Sequence, residues 1–502
     1  MRSKLALGLI ALACAGCSPI GPDYERPVFD LPANWKSLPA ANPSLWKIAE
    51  PADDKPKGEW WKAFGDPTLD SLEARCLENN FTLQASLARL DQAIAQSDSQ
   101  SAALYPNVQL GVTAQRFATS PNRPQTNYDS VNAATVQNDF KPVMVMTYEV
   151  DWLGKVRRAV EASRDTAGQA AADSDNVRLL LTAQVATAYF LLRQYDEEIL
   201  VLEGVVKLQD KLLSIFKSRY AEGAAGRTEL SQQAALSEAT GAQLELIKAQ
   251  RNAQENLLAT LTGTPAPDFR IPPGRLPASL PAFPVSIPST LLERRPDVAA
   301  AERAMAAANA QIGVAKAAFF PSLLVAPMFG GYESAVMSTL FAAPSIIWSI
   351  GLTAAQTIFD GGRISANLRF AKAGYAGTLA NYRQSVLVAM QETQDAMNTL
   401  TQLDAARRRQ DEAVKNYDKA YGISLIRYRE GLDNAQALAL IQQNQLQALR
   451  IKWQIHGGQF LASVSLVKAL GGGWQGLPLP NPTTAPTAEQ IDALQTSGRS
   501  GS

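Results

Sequence analysis

Residues Leu291–Leu324 read LLERRPDVAAAERAMAAANAQIGVAKAAFFPSLL, and the reading of the whole chain turns on them. Ala301, Ala304, Ala308 and Ile312 recur at helical spacing, and Ala300, Ala307 and Val314 recur beside them. Small residues on more than one face let several helices approach closely. Pro321 stops the helix because it lacks an N–H, and Ser322–Gly330 then reads as a strand. A closely packed helix therefore passes directly into a strand.

The same succession occurs twice. Residues 219–223 read RYAEG and residues 427–431 read RYREG, 208 residues apart, and the same offset carries Gly263 onto Gly471 and Leu258 onto Leu466. Tyr105-Pro106 corresponds to Phe320-Pro321, and Trp152-Leu153-Gly154-Lys155 to Phe359-Asp360-Gly361-Gly362-Arg363, each with a small slip. The period is too long for a solenoid, so a large unit is duplicated: helix, two strands, very long helix, shorter helix. In the first copy, 59–263, the pattern predicts helix 67–104, strands 107–117 and 143–150 around a polar loop 119–139, a long helix 154–222 and a returning helix 226–262 capped by Thr228. Leu181, Val185, Ala188, Leu192, Tyr195, Ile199, Leu202 and Val206 step by four and three along the long helix, a coiled-coil seam. The second copy, 289–473, predicts helix 290–320, strands 322–330 and 345–358, long helix 363–430 and helix 434–470. A proline-dense irregular connector, 264–288, joins the copies, and a disordered tail, 474–502, follows. Each long helix spans about 100 Å at 1.5 Å per residue and matches two short helices laid end to end. The expected fold is mainly α with a small β part: a rod of long helices with strands at one end.

Composition excludes several classes of function. The 502 residues carry 47 Lys plus Arg against 47 Asp plus Glu, so bulk attraction to nucleic acid has no basis. His456 is the one histidine, which argues against a histidine triad or a His-based metal site. With no phosphate loop or nucleophile elbow either, the chain does not read as an enzyme. Cys14, Cys17 and Cys76 give the mature chain no disulfide framework. The longest apolar run, Leu5–Gly16, is too short to span a bilayer as a helix. A membrane crossing would therefore use strands. They alternate suitably: Val108, Leu110, Val112 and Ala114 on one side, Asn107, Gln109, Thr113 and Gln115 on the other. An ordinary soluble sheet shares that pattern. In lipid, open sheet edges are excluded, and four strands cannot close where about eight are needed. Other copies would complete the wall, and three would give twelve strands around a lumen.

The N-terminus has the layout of an export signal, residues 1–16, with Arg2 and Lys4 before an apolar core and Ala15-Gly16 at its end. Cys17 after Ala15-Gly16 resembles a bacterial lipobox. That implies cleavage before Cys17, a diacylglycerol thioether and a fatty acyl chain on its amine, and Ser18 implies release to the outer membrane. Residues 17–58 are rich in proline and read as an extended tether.

Arg295-Pro296-Asp297-Val298, Ala301-Glu302-Arg303, Ala308–Ala315 and Phe319-Phe320-Pro321-Ser322 resemble the signature of the TolC-like outer membrane factors, and Pro22–Pro27 resembles the start of their lipidated, NodT-type members. The resemblance implies a homotrimer with a twelve-stranded β-barrel over a barrel of twelve helices. It implies a passive export duct in outer-membrane lipid, docked in the periplasm to a membrane-fusion adaptor and an inner-membrane transporter of the resistance–nodulation–division type. No cofactor is implied beyond the acyl groups on Cys17. The rival is a periplasmic coiled-coil lipoprotein acting as adaptor or scaffold, which leaves the four symmetrically placed strands unexplained. In the family the helix turns far from the strands, here Gly223–Thr228 and Gly431–Asn434, pinch shut. Asp433 is the candidate for a charged ring there. Alternatively, Asp433 with Gln436 forms a capping box. Ala225 holds the matching place in the first copy. Arg219-Tyr220 and Arg427-Tyr428 would fix the tip or meet the adaptor, or else be packed rings beside solvated guanidinium groups.

Overall fold

The computed structural model describes residues 19–27, 46–48, 59–120, 122, 135–281, 283–285 and 295–472. The signal segment, Cys17, most of the tether, the tip of the first strand loop, the start of helix 290–320 and the tail lie outside them. In chain order the elements are β1 (Trp46–Ile48), α1 (Pro67–Asn79), α2 (Phe81–Ser101), β2 (Asn107–Thr119), β3 (Thr135–Glu149), α3 (Lys155–Ala221), α4 (Arg227–Leu261), β4 (Phe283–Val285), α5 (Pro296–Ala317), β5 (Ser322–Val325), β6 (Met328–Tyr332), β7 (Ile346–Ser349), β8 (Leu352–Ala355), α6 (Arg363–Arg429) and α7 (Ala435–Ala469). The two long helices, α3 and α6, each have 67 residues, and the two returning helices, α4 and α7, each have 35. The duplication is thus preserved residue for residue in helix length.

The structure departs from the sequence reading at five places. The helix expected over 67–104 breaks at Asn80, whose ψ of 119° is extended. Its side chain accepts from Thr82 N and Leu83 N at 2.9 and 3.1 Å, capping α2, and donates to Leu261 O at 2.9 Å. Replacing Asn80 with Ala should cost about 2–3 kcal/mol, about 1 for the cap and the remainder for a buried carbonyl left unpaired. The midpoint of chemical unfolding measures it. The second strand begins at Thr135 rather than 143, because Asn138 and Asp139, read as loop, and Lys141, left outside the strand, pair with Arg116, Gln115 and Thr113 of β2. The strand expected over 322–330 is interrupted at Ala326-Pro327, where proline supplies no ladder donor. The strand over 345–358 is interrupted opposite it, at Ile350-Gly351, with Ala326 N reaching Gly351 O at 3.5 Å. Finally, the tether contains β1, which pairs in parallel with β4 of the connector.

The contacts divide the chain into two units. One gathers Met1–Val28, Leu90–Gln169 and Ala301–Tyr382 and holds the sheet. β2 pairs with β3 along its full length; β3 also pairs with β5 and β6, which in turn pair with β8 and β7. In effect this is a four-stranded antiparallel sheet whose last two strands are interrupted. Within this unit α5 is packed on nearly every side, with Arg303, Gln311 and Lys316 among its few exposed positions. Residues 19–27, expected to be extended tether, cross it. Ile20 N donates to Leu153 O, Arg158 reaches Asp23 at 2.6 Å, and Tyr24 and Arg26 both hold Glu302. Gly313 makes the crossing possible. A Cβ there would lie 2.7 Å from Ile20 O and 2.9 Å from the Arg158 side chain.

The other unit, Phe29–Arg89, Ala170–Ala300 and Arg383–Ser502, holds the larger apolar core. Phe64, Phe190 and Phe460 stack at its centre, with Phe190 4.9 and 4.7 Å from the other two rings. Leu181, Val185, Ala188, Leu192 and Leu202 of the predicted seam are buried. The connector is pinned rather than loose. Arg193 and Arg251 donate to Pro272 O and Ile271 O, Ile271 N donates to Glu255, and Gly274 N donates to Asp196.

Candidate channel wall and helix tip

The sheet has two chemically different faces. Register places Val108, Leu110 and Val112 of β2 beside Met146, Met144 and Pro142 of β3, and continues through Phe329 on β6. Val108, Leu110 and Val112 are 55–73% exposed and Phe329 is exposed, while the β3 residues between them are half-buried. The opposite face pairs Asn107 with Thr147, Gln109 with Val145, Gly111 with Val143, Thr113 with Lys141 and Gln115 with Asp139, and is mostly polar. There Gln115 donates to Asp139 at 3.1 Å and Lys141 meets Glu333 at 3.2 Å. One face suits hydrocarbon and the other water, the division a membrane barrel requires. Exposed aromatic rings stand at all four strand–helix junctions: Tyr105, Trp152, Phe319 with Phe320, and Phe359. They mark the level where hydrocarbon gives way to polar headgroups. No helix among the described residues is long and apolar enough to cross a membrane. The outer edges of β2 and of β7 with β8 have no partner strand among the described residues.

Next to the rings of Trp152 and Phe359 the same device starts both long helices. Asp151 accepts from Val156 N and Arg157 N, and Asp360 accepts from Gly362 N and Ile364 N. Gly154 and Gly361 turn the chain with φ of +76° and +66°. Hydrogen bonding to backbone N–H groups holds the Asp360 carboxyl below its ordinary range.

In the second unit, the turns between α3 and α4 and between α6 and α7 bring together some of the predicted tip residues. Arg219 donates to Tyr428 Oη at 3.0 Å, its guanidinium lies 5.7 Å from that ring, and Phe216 packs on the same ring at 6.0 Å. So the arginine of the first repeat engages the tyrosine of the second; the pairing runs between copies. Tyr220 is exposed and joins neither contact. Arg427 bonds Asp433 through both Nε and Nη2, at 3.1 and 3.3 Å. The capping-box alternative for Asp433 is therefore corrected: Asn434 caps α7, accepting from Ala437 N at 2.8 Å. Thr228 does not cap α4 either. Gly226 is the N-cap, and its N–H donates to Glu229 at 3.2 Å.

Single-sequence reading missed the strap over Gly313 and the Arg427–Asp433 pair. The first had a signal, a glycine inside an otherwise strong helix pattern. The second had none, because i to i+6 partners across a turn follow no helical spacing. His456 is structural: its ring stacks on Trp453 at 5.8 Å, and Nε2 has no partner among the described residues. Burial, helped by nearby Arg407, lowers its pKa from 6.5 to about 4. The unfolded chain thus takes up the proton first as pH falls. This contribution to stability is complete above pH 6.5 and is lost on descending to about 4, up to about 3 kcal/mol. His456→Leu should flatten the acid limb of the stability–pH curve over that window.

A sheet with one lipid-compatible face, one polar face and two open edges, joined to helices of 67 residues, defines one segment of a channel wall. The chain belongs to the outer membrane efflux protein family, whose model matches residues 73–264 and 287–472. It is similar to the pyoverdine export outer membrane protein OpmQ of Pseudomonas putida, 31% identical over 94% of this chain and 97% of the relative. It is similar as well to the toluene efflux pump outer membrane protein TtgC of Pseudomonas putida, 30% identical over 94% and 96%. Among solved structures, the outer-membrane channel OprN superposes with a TM-score of 0.83 at 27% identity, covering 91% of this chain and 99% of that one. The open state of the Neisseria gonorrhoeae MtrE outer membrane channel gives 0.76 at 25% identity, covering 91% and 98%. The chain is thus an outer-membrane efflux channel, a passive conduit and not an enzyme. Family members act as trimers in tripartite pumps, with a periplasmic adaptor and an inner-membrane pump of the resistance–nodulation–division type. The periplasmic adaptor-lipoprotein alternative is set aside by this membership. The family works without a cofactor, and no group of metal-ligating side chains occurs among the described residues.

Proposed function

We propose that three copies close their sheets edge to edge into a twelve-stranded barrel, continued by a ring of twelve helices, and that export substrates pass along its polar bore. The observation that carries this reading is the four-stranded sheet with an apolar face and two unpaired edges. Such edges cost several kcal/mol per unpaired group in lipid and are satisfied by a further strand. Cys17, acylated after removal of residues 1–16, anchors the N-terminus. Residues 19–27, which follow it, are tied to the strand–helix junction through Ile20 to Leu153 and Asp23 to Arg158. The repeats 59–263 and 289–473 are the two halves of each wall segment.

The tip is the gate in this reading. Arg219–Tyr428 ties one hairpin to the other, and Arg427–Asp433 tightens the second turn. Cargo choice rests with the inner-membrane pump: relatives are named for pyoverdine export, toluene efflux and antibiotic efflux on one shared scaffold. The test is the mass of the detergent-solubilised protein together with its conductance in a planar bilayer. A trimer that conducts supports the proposal; a monomer without conductance overturns it. Cys17→Ala should abolish the acyl mass on the N-terminus, while the barrel keeps the protein in the membrane through a high-salt wash.

A further inference from the structure

Over the helix turns next to the sheet, between Arg89 and Arg116 on one edge and before Glu392 on the other, the two open edges of a protomer carry opposite charge. α2 leads into β2, the strand at one edge. From Leu90 to Gln115 the chain has Asp91 and Asp98 and no Lys or Arg. α6 follows β8, at the other edge. From Gly361 to Gln391 it has Arg363, Arg369, Lys372 and Arg383 and no Asp or Glu. Asp91, Asp98, Arg369 and Lys372 are all exposed, and none has an ion-pair partner in its own protomer among the described residues.

Their positions match in two further respects. Leu90 and Ser97 are the buried stripe of α2, and Asp91 and Asp98 lie one residue, about 100°, round from it. Leu368 and Ala371 belong to the half-buried stripe of α6, and Arg369 and Lys372 lie the same about 100° round. α2 runs toward the sheet and α6 away from it. In antiparallel neighbours equal offsets fall on the same side of the wall. Exposed Ala95, Ser99 and Ala102 on one helix and Ala366, Ala373 and Gly377 on the other then meet between them, small enough for close approach. Depth agrees as well. Asp98 and Asp91 stand about 4.5 and 15 Å from the sheet end of α2, and Arg369 and Lys372 about 9 and 13.5 Å from the sheet end of α6.

We infer that Asp98 pairs with Arg369, and Asp91 with Lys372, between neighbouring copies of this chain, fixing the order in which edges meet. The contact is heterologous: each copy gives its acidic edge to one neighbour and its basic edge to the other, which closes a ring. Like edges repel, so pairing in the wrong sense is disfavoured. The inference rests on the trimer proposed above and specifies its seam.

Charge reversal tests it on the full-length protein extracted in detergent. Asp91→Lys with Asp98→Arg, and separately Arg369→Asp with Lys372→Asp, should each lower the trimer fraction several-fold. Combining all four should restore it. In addition, Asp91→Cys with Lys372→Cys in a Cys76→Ala background should give covalent dimers and trimers with a short thiol cross-linker, whereas Asp91→Cys with Arg363→Cys should not. A wild-type trimer whose assembly ignores both reversals, or a fourfold variant worse than either double, overturns the seam and leaves the trimer standing. Absence of a wild-type trimer overturns both.

Discussion

Asp433→Ala should raise the single-channel conductance of the purified protein several-fold in a planar bilayer. In the second tip turn, Arg427 grips Asp433 through two nitrogens, across six residues, and so joins the end of α6 to the start of α7. Removing the carboxylate leaves that turn held by the Asn434 cap and by backbone bonds such as Leu432 N to Arg427 O at 2.8 Å. Arg427→Ala removes the same link and should raise conductance similarly. The two variants part in selectivity. Loss of Asp433 leaves unpaired guanidinium groups at the constriction and favours anions; loss of Arg427 leaves carboxylates and favours cations. Unchanged conductance in both variants would remove the pair from the gate. High salt should weaken the link because it is exposed.

The second large effect concerns the core. Phe190→Ala should destabilise the fold by about 3–5 kcal/mol, the range for deleting a buried aromatic ring. Phe190 has no exposed surface and is held between Phe64 and Phe460, so its removal leaves a void lined by rings that belong to three separate stretches of chain. Those stretches are the short turn at Trp60–Phe64, α3 and α7, and they cannot all collapse inward together. Leu246, 65% exposed, is the comparison site: Leu246→Ala should shift the unfolding midpoint little. An equal shift in both variants would mean the aromatic cluster is not the centre of this unit.

Much of the architecture was legible in the sequence because its signals are periodic and long. The ends of α3 and α6 fall within a residue of the expected limits: Gly154 and Gly361 enforce a turn before each helix, and Gly223 and Gly431, with φ of +72° and +76°, end them. Alternation along β2 correctly separated Val108 and Leu110 from Gln109 and Gln115. The shorter signals were weaker. Asn80 in a strongly helical pattern gave no warning that its side chain would reach Leu261, 181 residues on. Asp433 was the one cap the sequence suggested for this helix, and geometry gave the cap to Asn434 and the ion pair to Asp433.

The sequence by itself determined the duplication, the lengths of the helices, the alternating faces of the strands and the family, because each is written in local spacing or in a long contiguous motif. Tertiary structure decided that residues 19–27 lie over Gly313, that the connector is clamped by Arg193 and Arg251, and that Arg219 serves the tyrosine of the other repeat. These contacts join residues tens to hundreds of positions apart, and no periodicity records which distant side chain will arrive. The physical reason is that hydrogen bonds and close packing act over about 3–4 Å in space, whereas sequence patterns act along the chain.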